Sequence, residues 1–410
     1  MLGMNVSKSS SPAATDPASV LVQKLVARQA PGLVFLDSSR GSGPGRRSWV
    51  ASDPIETLSE TPSGFFAGGK SVDPFDWLKT TSEKFPFVAG MLSFEAAWML
   101  DAIGESVAPT SPRIWAAAYD DVSIFDLPES EVPVSTSPSI ATDLRPPDAS
   151  TYQKGVQSCI KAIFDGEIFE INFTAAFEGR WDATGWELYE AMRAGATGNH
   201  FAYMDTGEVQ ISCVSPEQFL SVHDDVIRTR PIKGTRRRGQ TPAEDAQLRQ
   251  ELRTSEKDIA ENVMIVDLMR NDLSQVCVRG SVHVPELCGV ETFAGVHHLV
   301  STVQGTLDPA VTPLEAFLLC FPAGSITGAP KLRAIELIAE LEAGPRGVYT
   351  GSIFRSFEGS FDSNVLIRSA EKRGDRIKYG AGGAVVSDSD PIAEWEEAKT
   401  KARPFTRLFE

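Results

Sequence analysis

The chain has 410 residues, 42% of them hydrophobic and 23% charged, an ordinary globular composition with ample material for a large core. Its 39 basic and 55 acidic residues leave a formal charge of −16, which argues against nucleic acid or an anionic membrane as a partner. Five scattered cysteines with no CxxC pair argue against a disulfide frame and point to a reducing, cytoplasmic setting; no apolar run is long enough for a membrane span.

Residues 1–20 are rich in Ser, Ala and Pro, lack an apolar stretch and read as a flexible leader. Residues 21–126 mix short strand-like runs (GLVFLD, FVAGMLSF) with Gly, Pro and Ser turns and read as an amino-terminal part of the fold. The Pro/Ser-rich stretch 127–150 reads as a linker, and 151–410 as the catalytic region. In that region Val156, Ile160, Ile163 and Phe164 fall at helical spacing, and Ile171, Phe173, Ala175 and Phe177 alternate as in a strand with one buried face. Short strands follow, then two helices over about 242–273, a strand in VCVRGSVHVPEL and a helix at about 312–320. A Gly/Pro loop, a helix to about 342, three strand-like runs and a helix from Pro391 complete the chain. Strands that come in adjacent groups as well as alternating with helices predict an α+β fold with largely antiparallel sheet.

Four stretches could carry chemistry. RTRPIKGTRRRG (228–239) holds six cations, with Lys233 set apart from the arginines. A lysine amine is nucleophilic only when deprotonated, and burial or the neighbouring arginines would lower its pKa; the plainer reading is a surface lysine. In DSDPIAEWEEAKTKA, Asp390 is a plausible N-cap, and Glu394 and Glu397 share a helix face with Lys401 four residues further on. In SEKDIAENVMIVDLMRNDL, Ser255 and Asp258 resemble a capping box; Ile259, Val263, Val266 and Met269 mark a packed stripe with Glu261 at its edge. Two such carboxylate helices face to face would suit Mg²⁺, although either alone reads as a solvated face. PAGSITGAPKLRAIELI sets Gly324 and Gly328 before a helix whose free N–H groups suit a carboxylate, and YGAGGAVV places glycines inside a strand.

Taken in order, SPEQFL, RPIKGTRRRG, AENVMIVDLMRND, GSVHVPEL, VHHLVSTVQGTL, GSITGAPKLRAIELI and AGGAVVSDSDP resemble the chorismate-utilising enzymes over about residues 150–410, above all their aminodeoxychorismate synthase branch. The resemblance implies an anthranilate synthase component I-like α/β sandwich on two large, mostly antiparallel sheets, and an Mg²⁺-dependent chorismate site. It implies Glu261 and Glu397 as Mg²⁺ ligands with Glu394 in support, and Glu217 as the acid/base acting on the ring hydroxyl. His298 would lie near that hydroxyl and Arg368 would hold a substrate carboxylate. Ser325, Thr327, Gly328, Gly382 and Gly383 would line the substrate. PIKGT further implies that Lys233 attacks ring carbon 2 as the hydroxyl leaves carbon 4. Ammonia would then add at carbon 4 and expel the lysine, giving 4-amino-4-deoxychorismate, a precursor of 4-aminobenzoate and folate. Anthranilate formation is the alternative and requires loss of pyruvate; a synthase serving specialised metabolism is another. No glutaminase nucleophile is evident, so the resemblance implies a separate glutamine amidotransferase subunit as partner. The chain departs from the family's GxIGY with GSIFR, placing Phe354 and Arg355 where a glycine and a substrate-seating tyrosine are usual, and puts Ala384 after Gly383.

Overall fold

A computed structural model describes residues 16–39, 46–100, 103, 108–127, 141–293 and 295–410. Two sheets, of ten and twelve strands, dominate the described residues, and ten α-helices accompany them. Neighbouring strands run antiparallel, for example Glu170–Arg180 against Arg376–Val385 and Phe87–Leu92 against Ser352–Phe357. This is the expected α+β class. An apolar cluster joins the sheets, with Val34, Trp49 and Ile211 from one meeting Phe87, Trp115 and Ile353 from the other.

The amino-terminal part is built into both sheets. Leu33–Asp37 pairs with His200–Asp205, and Phe87–Leu92 with Ser352–Phe357. A buried ionic knot fixes the first helix to this frame: Arg193 meets Asp16 and Asp37, each at 2.7 Å. The leader expected over 1–20 falls mostly outside the described residues. Its end is structured, because Asp16 caps a helix that begins at Pro17. The linker expected over 127–150 is likewise described only in part. Thr142–Arg145 forms a strand against Glu178 and Arg180, and Asp148 caps the helix Ala149–Phe164, so this end of the segment is folded.

That helix is where it was expected, but its inner face is Tyr152, Val156, Cys159 and Ala162, while Phe164 is exposed. Tyr152 packs on Phe173 and Trp395, and Trp395 stacks on Phe177. The closing helix Pro391–Thr406 is thereby held over the strand Arg376–Val385, with Asp390 capping it as the sequence suggests. The helix Glu256–Ser274 differs from expectation. Its buried stripe is Asn262, Ile265, Val266, Met269 and Leu273, and Val263 is 43% exposed. The polar Asn262 takes the inner position because it hydrogen-bonds Ser301 and the Leu299 carbonyl. Only half of the capping box forms. The Ser255 hydroxyl accepts from the Asp258 N–H, while the Asp258 carboxylate binds Arg236.

Candidate active site

The lysine motif lies on the strand Ile232–Arg237, paired with Val296–Thr306, and the register slips between Ile232 and Thr235. Gly234 sits in this bulge at φ +83°, and a Cβ there would meet Asp258 at 2.9 Å. Only glycine suits both the backbone and the space. The bulge re-aims its neighbours. Lys233 Nζ donates to Glu170 Oε1 at 2.8 Å, and Thr235 Oγ1 meets His298 Nδ1 at 2.8 Å. Arg236, Arg237 and Arg238 instead pair with Asp258, Glu244 and Asp245.

The arginines therefore do not depress the lysine, contrary to expectation. Burial alone would lower the amine's pKa, but the carboxylates of Glu170, Glu261 and Glu217 outweigh it and hold the pKa above its usual value. Adjacent residues of a strand point to opposite faces, so neighbours in sequence are not neighbours in the site.

Glu217 immediately precedes the strand Gln218–His223, and its side chain is buried. Burial raises its carboxyl to about 7, against the opposing pull of a 2.6 Å hydrogen bond from Ser325 Oγ and of the Lys233 charge. It is thus partly protonated at neutral pH. Glu217 and Lys233 are not carried on two adjoining strands, because Val296–Thr306 lies between Val226–Arg230 and the lysine strand. That intervening strand supplies His298. Burial, assisted by the Arg368 charge, lowers this imidazole to about 3, and its buried Nε2 has no partner among the described residues. Arg368 occupies a left-handed backbone position at φ +49°. Its guanidinium makes no hydrogen bond or ion pair among the described residues, though it feels the charge of Glu217. A cation left without a counterion in a buried site suits a substrate carboxylate.

The loop after Phe321 supports the acid rather than only lining a cavity. Ser325 spends its hydroxyl on Glu217, and Thr327 donates its own to the Ala323 and Gly324 carbonyls. Gly328, at φ +151°, would place a Cβ 2.2 Å from the Glu170 carbonyl oxygen. Arg346, which the sequence did not single out, holds this loop. It donates to the carbonyls of Ile326 (2.8 Å) and Asn172 (2.5 Å) and is paired with Glu342 at 2.7 Å.

Gly382 is required by its own sheet, since a Cβ there would lie 2.1 Å from the Phe173 carbonyl oxygen. Gly383 faces the closing helix, and a Cβ would meet Glu394 Oε2 at 3.0 Å and Glu397 Oε1 at 3.3 Å. Glu394 takes a hydrogen bond from Ser389 on one oxygen, and the other is buried without a partner. Burial, with repulsion from Glu170 and Glu397, raises the Glu261 carboxyl, so Glu261 feels the charge of the closing helix. Among the described residues no three acidic, His or Cys side chains enclose a metal by themselves. Mg²⁺ takes one or two carboxylates and leaves its other positions to water and substrate. The orphaned Glu394 oxygen fits such a cation, while Lys401 now occupies Glu397 Oε1 at 2.7 Å and Lys257 stands 3.8 Å from Glu261 Oε1.

Ala384 continues the Gly383 strand, paired with Asn172, but the other two departures lie elsewhere. Phe354 packs with Phe317 and Phe361 in the core. Arg355 lies over Trp49 at 4.3 Å and lines a separate cleft with Asp37, Arg46 and Asn199. The sequence also missed Glu170, an acidic residue at the head of an apolar strand with no local sign of burial.

The sequence profile of chorismate binding enzymes matches residues 48–407. The chain belongs to this family. It is 42% identical over 316 residues to the aminodeoxychorismate synthase of Streptomyces griseus, covering 75% of this chain but 43% of that protein. The chain spans less than half the length of such longer relatives. It is 32% identical to aminodeoxychorismate synthase component 1 of Bacillus subtilis (strain 168), covering 92% of this chain and 91% of that one. In structure it is similar to anthranilate synthase component I from Streptococcus pneumoniae TIGR4, with a TM-score of 0.78, 26% identity, and 90% and 93% of the two chains covered. That likeness bears out the sandwich on two antiparallel sheets expected for the family. No helix among the described residues is long and apolar enough to cross a membrane.

Proposed function

We propose that the chain converts chorismate and ammonia to 4-amino-4-deoxychorismate, with Lys233 as a covalent nucleophile. The observation that carries this reading is the Lys233 amine, buried on a bulged strand and coupled to a carboxyl poised near pH 7 at Glu217. The names of the Streptomyces griseus and Bacillus subtilis relatives point the same way.

Lys233 Nζ bonds ring carbon 2 while the carbon 4 hydroxyl leaves, taking a proton from Glu217 to depart as water. Ammonia then bonds carbon 4, the carbon 2–Nζ bond breaks, and the new amine returns a proton to Glu217. A carboxyl near 7 can give and take that proton at neutral pH. Arg368 binds a substrate carboxylate, and the neutral His298 offers its free Nε2 to the ring hydroxyl. Mg²⁺, held by Glu261 and Glu397 with Glu394 beside them, would offset the charge of a substrate carboxylate in this acidic site. Ammonia comes from a glutamine amidotransferase.

The test is mass-spectrometric product analysis of the purified chain with chorismate, Mg²⁺ and an ammonium salt. Aminodeoxychorismate without pyruvate is expected, and Lys233→Ala abolishes it. Pyruvate release would assign anthranilate formation instead. An unchanged rate and product from Lys233→Ala would rule out the covalent lysine.

A further inference from the structure

We propose that Glu170 is the catalytic base that takes the proton from Lys233. This rests on the covalent-lysine reading above and supplies the step that reading lacks. Lys233 must be neutral to attack, yet its surroundings favour the ammonium. Glu170, at the head of the strand Glu170–Arg180, and Glu217, before Gln218–His223, act on it directly, while Glu261 on the helix Glu256–Ser274 and Glu397 on the closing helix also face it but would have their charge offset by the bound cation. The arginines of its own strand are turned to other partners. Since the surroundings do not strip the proton, an acceptor in contact must take it.

Among the described residues only Glu170 hydrogen-bonds Nζ, at 2.8 Å, and the two side chains are 11% and 2% exposed. Bulk water is poorly placed to compete. The second oxygen of Glu170 is buried and unpartnered, so the contact with Lys233 is the carboxylate's one hydrogen bond among the described residues. Glu217 cannot serve, because it must donate to the leaving hydroxyl in the same step and is already engaged by Ser325.

One loop positions both groups. Ser325 holds Glu217, while Ala329 and Gly328 pair with Glu170 and Ile171, and the absent Gly328 side chain lets the Glu170 carbonyl approach. The protons balance. An N–H bond of Lys233 breaks and its proton goes to Glu170 Oε1. The freed electron pair forms the bond to carbon 2, and the carbon 4–oxygen bond breaks with a proton from Glu217. When ammonia expels the lysine, the amine recovers its proton from Glu170.

The experiment follows the gain of one chorismate less one water on the intact protein, with chorismate and Mg²⁺ but no ammonia. Glu170→Gln keeps the shape and an oxygen that can accept from Lys233, but loses the base. Its adduct should form ~100-fold or more slowly at pH 7 than in the wild type, with chorismate affinity no weaker and a rate that climbs with pH as hydroxide substitutes. Glu170→Asp, which keeps a base on a shorter arm, should form adduct faster than Glu170→Gln. Wild-type adduct rates in Glu170→Gln would overturn the proposal, as would one constant loss at every pH between 7 and 10, or Glu170→Asp no faster than Glu170→Gln. Should wild type form no adduct, or Lys233→Ala keep making product, it is the underlying reading that fails.

Discussion

Replacing Glu217 by glutamine should change the pH dependence of stability by an amount that the site itself sets. The folded carboxyl lies near 7 instead of its ordinary 4.5, chiefly because it is buried. A carboxyl whose pKa is raised by folding stabilises the protein fully below the unfolded pKa, and that contribution is lost as pH rises through the folded one. At about 1.36 kcal/mol per tenfold, the rise from 4.5 to about 7 corresponds to about 3 kcal/mol. Integrated over the range where the two states bind protons differently, about 2.5 kcal/mol of it is lost between pH 5 and pH 8. Glutamine cannot ionise, so Glu217→Gln should gain about 2.5 kcal/mol relative to the wild type over that interval. Equilibrium urea unfolding of both proteins at a series of pH values gives the difference directly. His298, depressed to about 3, titrates in both proteins and cancels from it. Two stability profiles that run parallel from pH 5 to pH 8 would refute a carboxyl poised near neutrality, and with it the acid assigned to the leaving hydroxyl.

Gly383→Ala should raise the Mg²⁺ concentration needed for half-maximal adduct formation ~10-fold, because its Cβ would stand 3.0 Å from Glu394 and 3.3 Å from Glu397; an unchanged Mg²⁺ titration would contradict the cation site. Arg193→Met should cost about 3–5 kcal/mol in urea unfolding, since it strands Asp16 and Asp37 in the interior. A loss below about 1 kcal/mol would mean those carboxylates are solvated or protonated instead.

Local sequence marked the parts. Asp390 was legible as a helix cap because its side chain is satisfied by amides two and three residues on, at 3.0 and 2.8 Å. The strand carrying Phe173 and Phe177 was legible from its period of two, and PIKGT from its likeness to relatives. The helix Glu256–Ser274 was placed correctly, but its buried stripe was not, because Asn262 is drawn inward by Ser301 and the Leu299 carbonyl, 39 and 37 residues away. The surroundings of Lys233 were not legible either. Its flanking arginines suggested a depressed amine, but a strand sends successive side chains to opposite faces and the bulge at Gly234 turns this one toward Glu170, 63 residues away in sequence. Composition and periodicity thus determined which elements form and which residue types could react. Only the pairing of distant strands decided which charges meet in the dry interior, because that proximity depends on register and on bulges that no local pattern records.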